Sequence, residues 1–221
     1  MRYLTEHELR EQFAGGTPSQ YQLPEDCRLT PLARDYLSES GLLRENGAAQ
    51  PSSTAKAPKP EHMTHLNGRE LVSKQHPRIV LRGKLDTLES EILLMMTQYD
   101  EPWRGKLRDA LMLVRQILAV DVKETALPPW TLDGMDAEKV HRCSHHPEEF
   151  GFQGHILPAP EQGLLAAQFN RLRALSREVE LVAVSAYRQG DHLDHPDSIL
   201  ALNRLSSYFY VLQLQAARGR A

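Results

Sequence analysis

The sequence predicts an all-α fold, a four- to five-helix antiparallel bundle with a small N-terminal helical (α+β) appendage. Long stretches of the C-terminal part carry apolar residues at helical spacing, and fairly short loops join them. One polar stretch that contains three prolines separates these helices from the N-terminus. The chain has 221 residues, which is enough for one complete core and a small additional module.

We expect three parts along the chain. Residues 1–44 form a small N-terminal module, residues 45–62 a flexible linker, and residues 63–221 the helical bundle. Residues 45–62 are assigned as a linker because they contain almost no apolar surface that folding could bury.

In the N-terminal module, residues 4–14 are predicted to form a short amphipathic helix capped by Thr5. A second helix is predicted to begin after Thr30, with Pro31 in its first turn. Between them, Gln20 to Leu23 are predicted to form a short strand.

The bundle is predicted from apolar periodicity and from helix-stop signals. We expect helices over residues 78–98 and 103–120, a shorter one capped by Asp133 or Asp136 and ending near His146, and long ones over about 161–188 and 196–217. No alternating pattern predicts a strand in this part of the chain.

Composition narrows the class of protein. Hydrophobic residues make up 41% and charged residues 25% of the chain, as in ordinary globular proteins. The net charge of −3 argues against a nucleic-acid partner, and no apolar run is long enough for a membrane span. Two cysteines provide no disulfide framework, and the N-terminus lacks an apolar signal segment. We therefore expect a cytoplasmic protein.

One helical stripe is the first candidate for chemistry. Arg173, Arg177 and Glu180 lie at positions i, i+4 and i+7, so they share a helix face. Two guanidinium groups on one face can bind phosphates, with the carboxylate orienting one of them. On spacing alone, a solvated face with one i,i+3 ion pair is the alternative.

Three segments in this order resemble the ATP:corrinoid adenosyltransferases of the propanediol-utilization type, and the ethanolamine-utilization branch better still. They are THLNGRELVSKQHPR with GKLDTLES (residues 64–78 and 83–90), the R-x-x-x-R-x-x-E stripe of residues 173–180, and LNRLS of residues 202–206. The N-terminal segments YLTE and RLTPLAR and the loop segments SHHP and HILP also resemble the ethanolamine branch.

The resemblance implies transfer of the 5′-deoxyadenosyl group of ATP, with Mg²⁺, to cobalamin, to supply ethanolamine ammonia-lyase. It implies catalytic roles for Arg173, Arg177 and Asp86, and an Asp86–Arg173 pair across the bundle. The implied ATP contacts are Thr64, Gly68, Lys74, Arg173, Arg177, Glu180 and Asn203. The implied corrinoid contacts are Phe150, Phe152, His155, Ile156 and Leu157. The alternatives without a role in ATP binding are a surface lysine for Lys74 and an interhelical structural amide for Asn203.

The chain departs from the family pattern in ways that affect the site. A Cys-Cys-x-x-Cys cluster common in the ethanolamine branch is replaced here by the cysteine-free linker, and Gly68 is the one glycine of the ATP loop. Ser207 stands where the propanediol type often has aspartate, and His155 where it has a phenylalanine below the corrin. His141, Cys143 and His145 lack the usual zinc spacing, so we predict no metal ligands; the requirement for a transition metal stays open.

The resemblance further implies a homo-oligomer, a trimer with ATP between subunits. It implies cob(I)alamin or cob(II)alamin as the corrinoid, with ethanolamine ammonia-lyase and microcompartment proteins as partners, and a bacterial microcompartment as an alternative location. The competing hypothesis is a corrinoid carrier or assembly protein of a microcompartment with weak or no catalysis.

Overall fold

The computed structural model of the protein describes residues 2–14, 21, 23–24, 27–42, 59–68 and 70–218. Two compact units are present, one within residues 1–57 and the other within residues 58–221. The predicted linker, residues 45–62, lies largely outside the described residues.

The N-terminal unit contains two short strands that pair in parallel, each followed by a helix. Its elements are β1 (Arg2–Leu4), α1 (Glu6–Gln12), β2 (Cys27–Leu29) and α2 (Pro31–Glu39). Its small core consists of Leu4, Leu9, Ala33, Leu37 and Leu42. The mixed α+β character predicted for this module is therefore present.

Capping residues fix where both N-terminal helices begin. Thr5 accepts a hydrogen bond from the Glu8 backbone N–H, and the Glu8 carboxylate accepts one from the Thr5 backbone N–H. Thr30 caps α2 in the same position, with Pro31 in the first turn. Both predicted caps are confirmed. The strand predicted over Gln20–Leu23 is not: its described residues Tyr21 and Leu23 lie outside any strand.

The C-terminal unit is a bundle of five α-helices over the described residues, which confirms the predicted fold class. Its helices are α3 (Pro77–Gln98), α4 (Trp103–Lys123), α5 (Ala137–His145), α6 (Gly163–Ala186) and α7 (Pro196–Arg218). Two hairpins that the sequence did not predict accompany them, β3 (Met63–His65) with β4 (Leu71–Ser73), and β5 (Arg188–Gln189) with β6 (His192–Leu193). Asp136, one of the two predicted caps, begins α5.

Interhelical polar contacts show that neighbouring long helices run antiparallel. Between α3 and α6, Lys84 contacts Glu178, Glu91 contacts Arg171, and Gln98 contacts Gln168. Along these pairs the residue number rises in α3 as it falls in α6. The predicted antiparallel packing is therefore present.

The core follows from the spacing of apolar residues. In α3 the buried residues Leu81, Leu85, Leu88, Ile92 and Met95 alternate four and three residues apart, which places them on one face. The helix α7 is buried on most sides, including two aromatic residues, Tyr208 and Phe209. It contacts α4, α5 and α6, so it is the central helix that positions the site described next.

None of the helices among the described residues combines the length and the apolar character needed to span a bilayer.

Candidate functional site

A cavity of about 360 Å³ lies between α5, α6, α7 and the segment that joins α5 to α6. Its lining from the three helices is polar: Ser144 and His145 of α5, Asn170, Arg173 and Arg177 of α6, and Ser206, Ser207, Tyr210 and Gln213 of α7. The joining segment adds His155, Ile156, Leu157 and Pro158. No aspartate or glutamate belongs to this lining, so the cavity favours an anion.

Two arginines supply the positive charge of the cavity. The Nε and Nη2 atoms of Arg173 donate to Asn170 Oδ1 at 3.1 and 2.9 Å. Burial lowers the pKa of Arg173, the nearby charge of Arg177 lowers it further, and Tyr210 acts in the opposite direction. Over the described residues neither guanidinium contacts a carboxylate. Arg173 is half-buried and Arg177 is exposed, and a pair of like charges without a carboxylate partner is stabilised by binding an anion.

Glu180, the third residue of the stripe, contacts α7 and not the two arginines. Glu180 Oε1 accepts a hydrogen bond of 2.8 Å from Asn203 Nδ2, and Asn203 Oδ1 accepts one of 2.5 Å from Arg204. This chain of contacts links α6 to α7. Glu180 and Arg177 therefore do not form the ion pair considered above. Asn203 is an interhelical amide that bridges Glu180 and Arg204.

A buried hydrogen-bond donor of α7 belongs to the cavity lining. Gln213 lines the cavity and is only 1% exposed, yet its Nε2 has no hydrogen-bond partner among the described residues. An unpaired buried N–H group costs about 1–3 kcal/mol. A ligand with a carbonyl or phosphate oxygen would supply the missing acceptor.

The cavity lining also includes the rings of His145 and His155 and the apolar side chains of Ile156 and Leu157, and the His141 ring lies beside that of His145. The His141 and His145 rings lie 4.5 Å apart between centroids, and the His145 and His155 rings 6.2 Å apart. The charge of Arg204 lowers the pKa of His141, as do burial and the nearby His145. Leu157 is 85% exposed at the cavity, which leaves an apolar surface available for a ligand.

A second polar cluster fastens the β3–β4 hairpin to the bundle. Arg82 Nη2 donates to the Leu66 carbonyl oxygen at 2.7 Å, and Arg82 Nε donates to Asp121 Oδ2 at 2.6 Å. Asp121 is fully buried in α4, and its other oxygen accepts from Arg78 at 2.9 Å. Burial alone would lower the pKa of Arg78, but its contacts with Glu124 and Asp121 raise it. The turn of the hairpin is thus held by a buried charge network.

The matches to known proteins cover the same two units. A family model described as cobalamin adenosyltransferase matches residues 56–216, and one described as the corrinoid adenosyltransferase EutT N-terminal domain matches residues 3–43. The chain belongs to the cobalamin adenosyltransferase family. Membership confirms the predicted enzyme class, a corrinoid adenosyltransferase.

Individual relatives agree with the family assignment along nearly the full sequence. The corrinoid adenosyltransferase EutT of Salmonella typhimurium (strain LT2) is 30% identical over 244 residues, covering 96% of this chain and 91% of the relative. The protein of the same description from Escherichia coli (strain K12) is 30% identical over 243 residues, with the same coverage.

The structure divides the predicted site residues into two groups. The first group lines the cavity described above: Arg173, Arg177, His155, Ile156 and Leu157. Thr64, Gly68 and Lys74 belong to the β3–β4 hairpin and the residue that follows it, and none of them lines the cavity. Lys74 is exposed, and its side chain has no partner among the described residues.

Three other predicted residues differ from expectation in their contacts. Asp86 is exposed and forms no pair with Arg173 within the described chain. Phe150 packs against the bundle core, and Phe152 is half-buried, but neither lines the cavity. Among the residues that the structure describes, no cluster of three or more His, Cys, Asp or Glu side chains could hold a metal ion.

Several residues at these sites were not predicted from the sequence. Asn170, Tyr210 and Gln213 line the cavity, and Asp121 anchors the hairpin. A sequence signal existed for Asp121, because a single acid on the apolar face of α4 is unusual unless it is paired. Tyr210 and Gln213 follow the LNRLS segment at helical spacing, so they extend its face.

Proposed function

We propose that this enzyme transfers the 5′-deoxyadenosyl group of ATP to cob(I)alamin and so supplies adenosylcobalamin to ethanolamine ammonia-lyase in ethanolamine utilization. The arginine pair of the cavity, which has no carboxylate partner among the described residues, is the observation that carries the proposal. Family membership supplies the reaction class, and the charge of the cavity matches the phosphates of ATP.

In this reaction the Co(I) electron pair attacks C5′ of ATP. A cobalt–carbon bond forms, the bond between C5′ and the triphosphate oxygen breaks, and triphosphate leaves with the bonding electrons. The protein needs no nucleophile of its own. It must align the reactants and stabilise the negative charge that grows on the leaving phosphates, a role for Arg173, Arg177 and Mg²⁺.

The corrinoid is proposed to lie against the wall formed by the segment between α5 and α6. His155, Ile156 and Leu157 face the cavity there, and Phe150 and Phe152 belong to the same segment. The exposed Leu157 gives a large planar ligand apolar surface to cover. Gln213 Nε2 would donate to an oxygen of either substrate.

We place the rest of the ATP site on a neighbouring subunit of a homo-oligomer, which is a trimer by family resemblance. Thr64, Gly68 and Lys74 do not line the arginine cavity of their own chain. The hairpin is nevertheless anchored to the bundle through Arg82 and Asp121, as a binding element would be. Gly68 has open space where a side chain would stand, so a nucleotide could approach its backbone.

The same arrangement gives roles to Asp86, Glu180 and Asn203. Asp86 and Arg173 each lack an oppositely charged partner among the described residues, so we propose that they meet across the subunit contact. The Glu180–Asn203 pair holds α6 against α7 beside the arginines and offers polar atoms to the nucleotide. The carrier hypothesis is not favoured, since a carrier has no need of two arginines that lack a carboxylate partner among the described residues.

The proposed activity is tested by mixing the purified protein with ATP, excess Mg²⁺, chemically reduced cobalamin and a chelator of transition metals. We expect the spectrum of a cobalt–carbon product, because no metal-binding cluster exists among the described residues and the arginines carry the phosphate charge. Retention of cobalamin without product would instead indicate a carrier. Activity that returned only with added Zn²⁺ or Fe²⁺ would show a transition-metal requirement.

A further inference from the structure

At the cavity, the His155 ring lies within hydrogen-bond distance of a tyrosine of the central helix α7. His155 Nδ1 lies 3.1 Å from Tyr210 Oη, and the two rings are 5.5 Å apart between centroids. The next backbone N–H, that of Ile156, donates to the same hydroxyl oxygen at 3.2 Å. Tyr210 therefore holds two consecutive residues of the segment at once.

Counting hydrogen-bond groups favours one position for the ring proton of His155. A backbone N–H can only donate, so the Tyr210 oxygen accepts from Ile156. The hydroxyl hydrogen then needs an acceptor, and His155 Nδ1 is the one within reach among the described residues. If Nδ1 accepts, the neutral imidazole carries its proton on Nε2.

We propose that Tyr210 is a positioning residue that holds His155 in the Nε2–H tautomer, so that this histidine donates a hydrogen bond and cannot ligate cobalt. The inference rests on the proposed function, in which the corrinoid lies against this wall. Tyr210 has no other assigned role, and its hydroxyl is the shared partner of both His155 and Ile156.

The chemical reason concerns the electron that converts Co(II) to Co(I). It enters an orbital directed along the axis perpendicular to the corrin, and a nitrogen lone pair donated along that axis raises the energy of this orbital. An imidazole beside the corrin is therefore a hazard, because its unprotonated nitrogen is a strong metal ligand. With Nδ1 engaged by Tyr210 and Nε2 protonated, His155 offers no free lone pair.

The test uses Co(II)cobinamide, a corrinoid without the nucleotide base, so that any nitrogen bound to cobalt comes from the protein. With ATP present, the wild-type enzyme is expected to give an electron paramagnetic resonance spectrum without nitrogen splitting. Tyr210→Phe frees Nδ1, and each cobalt line is then expected to split into a triplet. The splitting should disappear in the Tyr210→Phe/His155→Ala double variant and become a doublet with ¹⁵N-labelled histidine.

Tyr99→Phe is the matched control, since it also removes one tyrosine hydroxyl but from a contact with Gln168 outside the cavity lining. It should show no splitting. Tyr210→Phe without splitting, in an enzyme that retains cobinamide, would overturn the inference. Wild-type turnover is measured in parallel. If the wild-type enzyme is active and Tyr210→Phe shows no splitting, the inference about Tyr210 fails while the proposed function stands. If the wild-type enzyme shows no turnover, the proposed function itself fails.

A second measurement needs no folded variant of Tyr210. Nitrogen NMR of the wild-type protein labelled with ¹⁵N-histidine, at a pH where the ring is neutral, separates protonated from unprotonated ring nitrogens. The His155 signals are assigned by their loss in His155→Ala. An unprotonated Nδ1 and a protonated Nε2 are expected; the reverse pattern would overturn the inference whatever the cobalt spectrum shows.

Discussion

Replacing Arg177 with alanine lowers turnover by a factor of about 10² or more, because one preorganised cation at developing negative charge contributes roughly 3 kcal/mol to the transition state. The loss is expected mainly in kcat, since the charge on the leaving phosphates grows as the C5′–oxygen bond breaks. Arg177 is exposed and contacts no carboxylate, so its removal leaves the packing of α6 unchanged.

Arg171→Ala is the matched control for this experiment. Arg171 belongs to the same helix but forms an exposed ion pair with Glu91 at 2.7 Å, on the side that faces α3. Its loss should change stability only slightly and leave turnover near the wild-type value. Turnover of a folded Arg177→Ala protein within a few-fold of wild type would remove this arginine from the mechanism.

Replacing Asp121 with alanine is expected to give the largest loss of stability, roughly 3–5 kcal/mol, because it leaves two guanidinium groups without their buried counter-ion. The side chains of Arg78 and Arg82 are only 14% and 15% exposed, so water compensates little. The hairpin should loosen as well, because Arg82 holds the Leu66 carbonyl. Urea denaturation followed by circular dichroism measures the first effect, and the KM for ATP the second.

Glu124→Ala serves as the comparison. Glu124 also contacts Arg78, at 2.9 Å, but its side chain is 49% exposed. We expect only a small loss of stability, because water screens an exposed ion pair. If Asp121→Ala and Glu124→Ala destabilised the protein equally, the buried network would not be what anchors the hairpin.

The helices were predictable because their signals are local. Apolar residues four and three apart in α3 determine a helix face, and Thr5, Thr30 and Asp136 begin their helices through contacts within one turn. The β3–β4 and β5–β6 hairpins were not predicted, since strands of two or three residues are too short to show alternation.

The site was predictable where helix periodicity alone brings residues together, as in the stripe that includes Arg173 and Arg177. Contacts between distant segments were not predictable: the partner of Asp121 is 39 residues away, and that of Tyr210 is 55. Glu180 shows the same limit. Its spacing fits an ion pair with Arg177, but an asparagine of the neighbouring helix forms the contact.

We propose that the arginine cavity of one subunit and the hairpin of another form a single adenosyl-transfer site. Subunit mixing tests it most directly. We expect Lys74→Ala and Arg177→Ala to be nearly inactive alone, and the two variants are unfolded together, refolded into mixed oligomers and assayed with ATP and reduced cobalamin. If each site uses Lys74 and Arg177 from different subunits, random mixing of equal amounts restores about one quarter of the wild-type sites. If both residues act from the same chain, every site carries one substitution, and mixed oligomers no more active than the two parents would contradict the account.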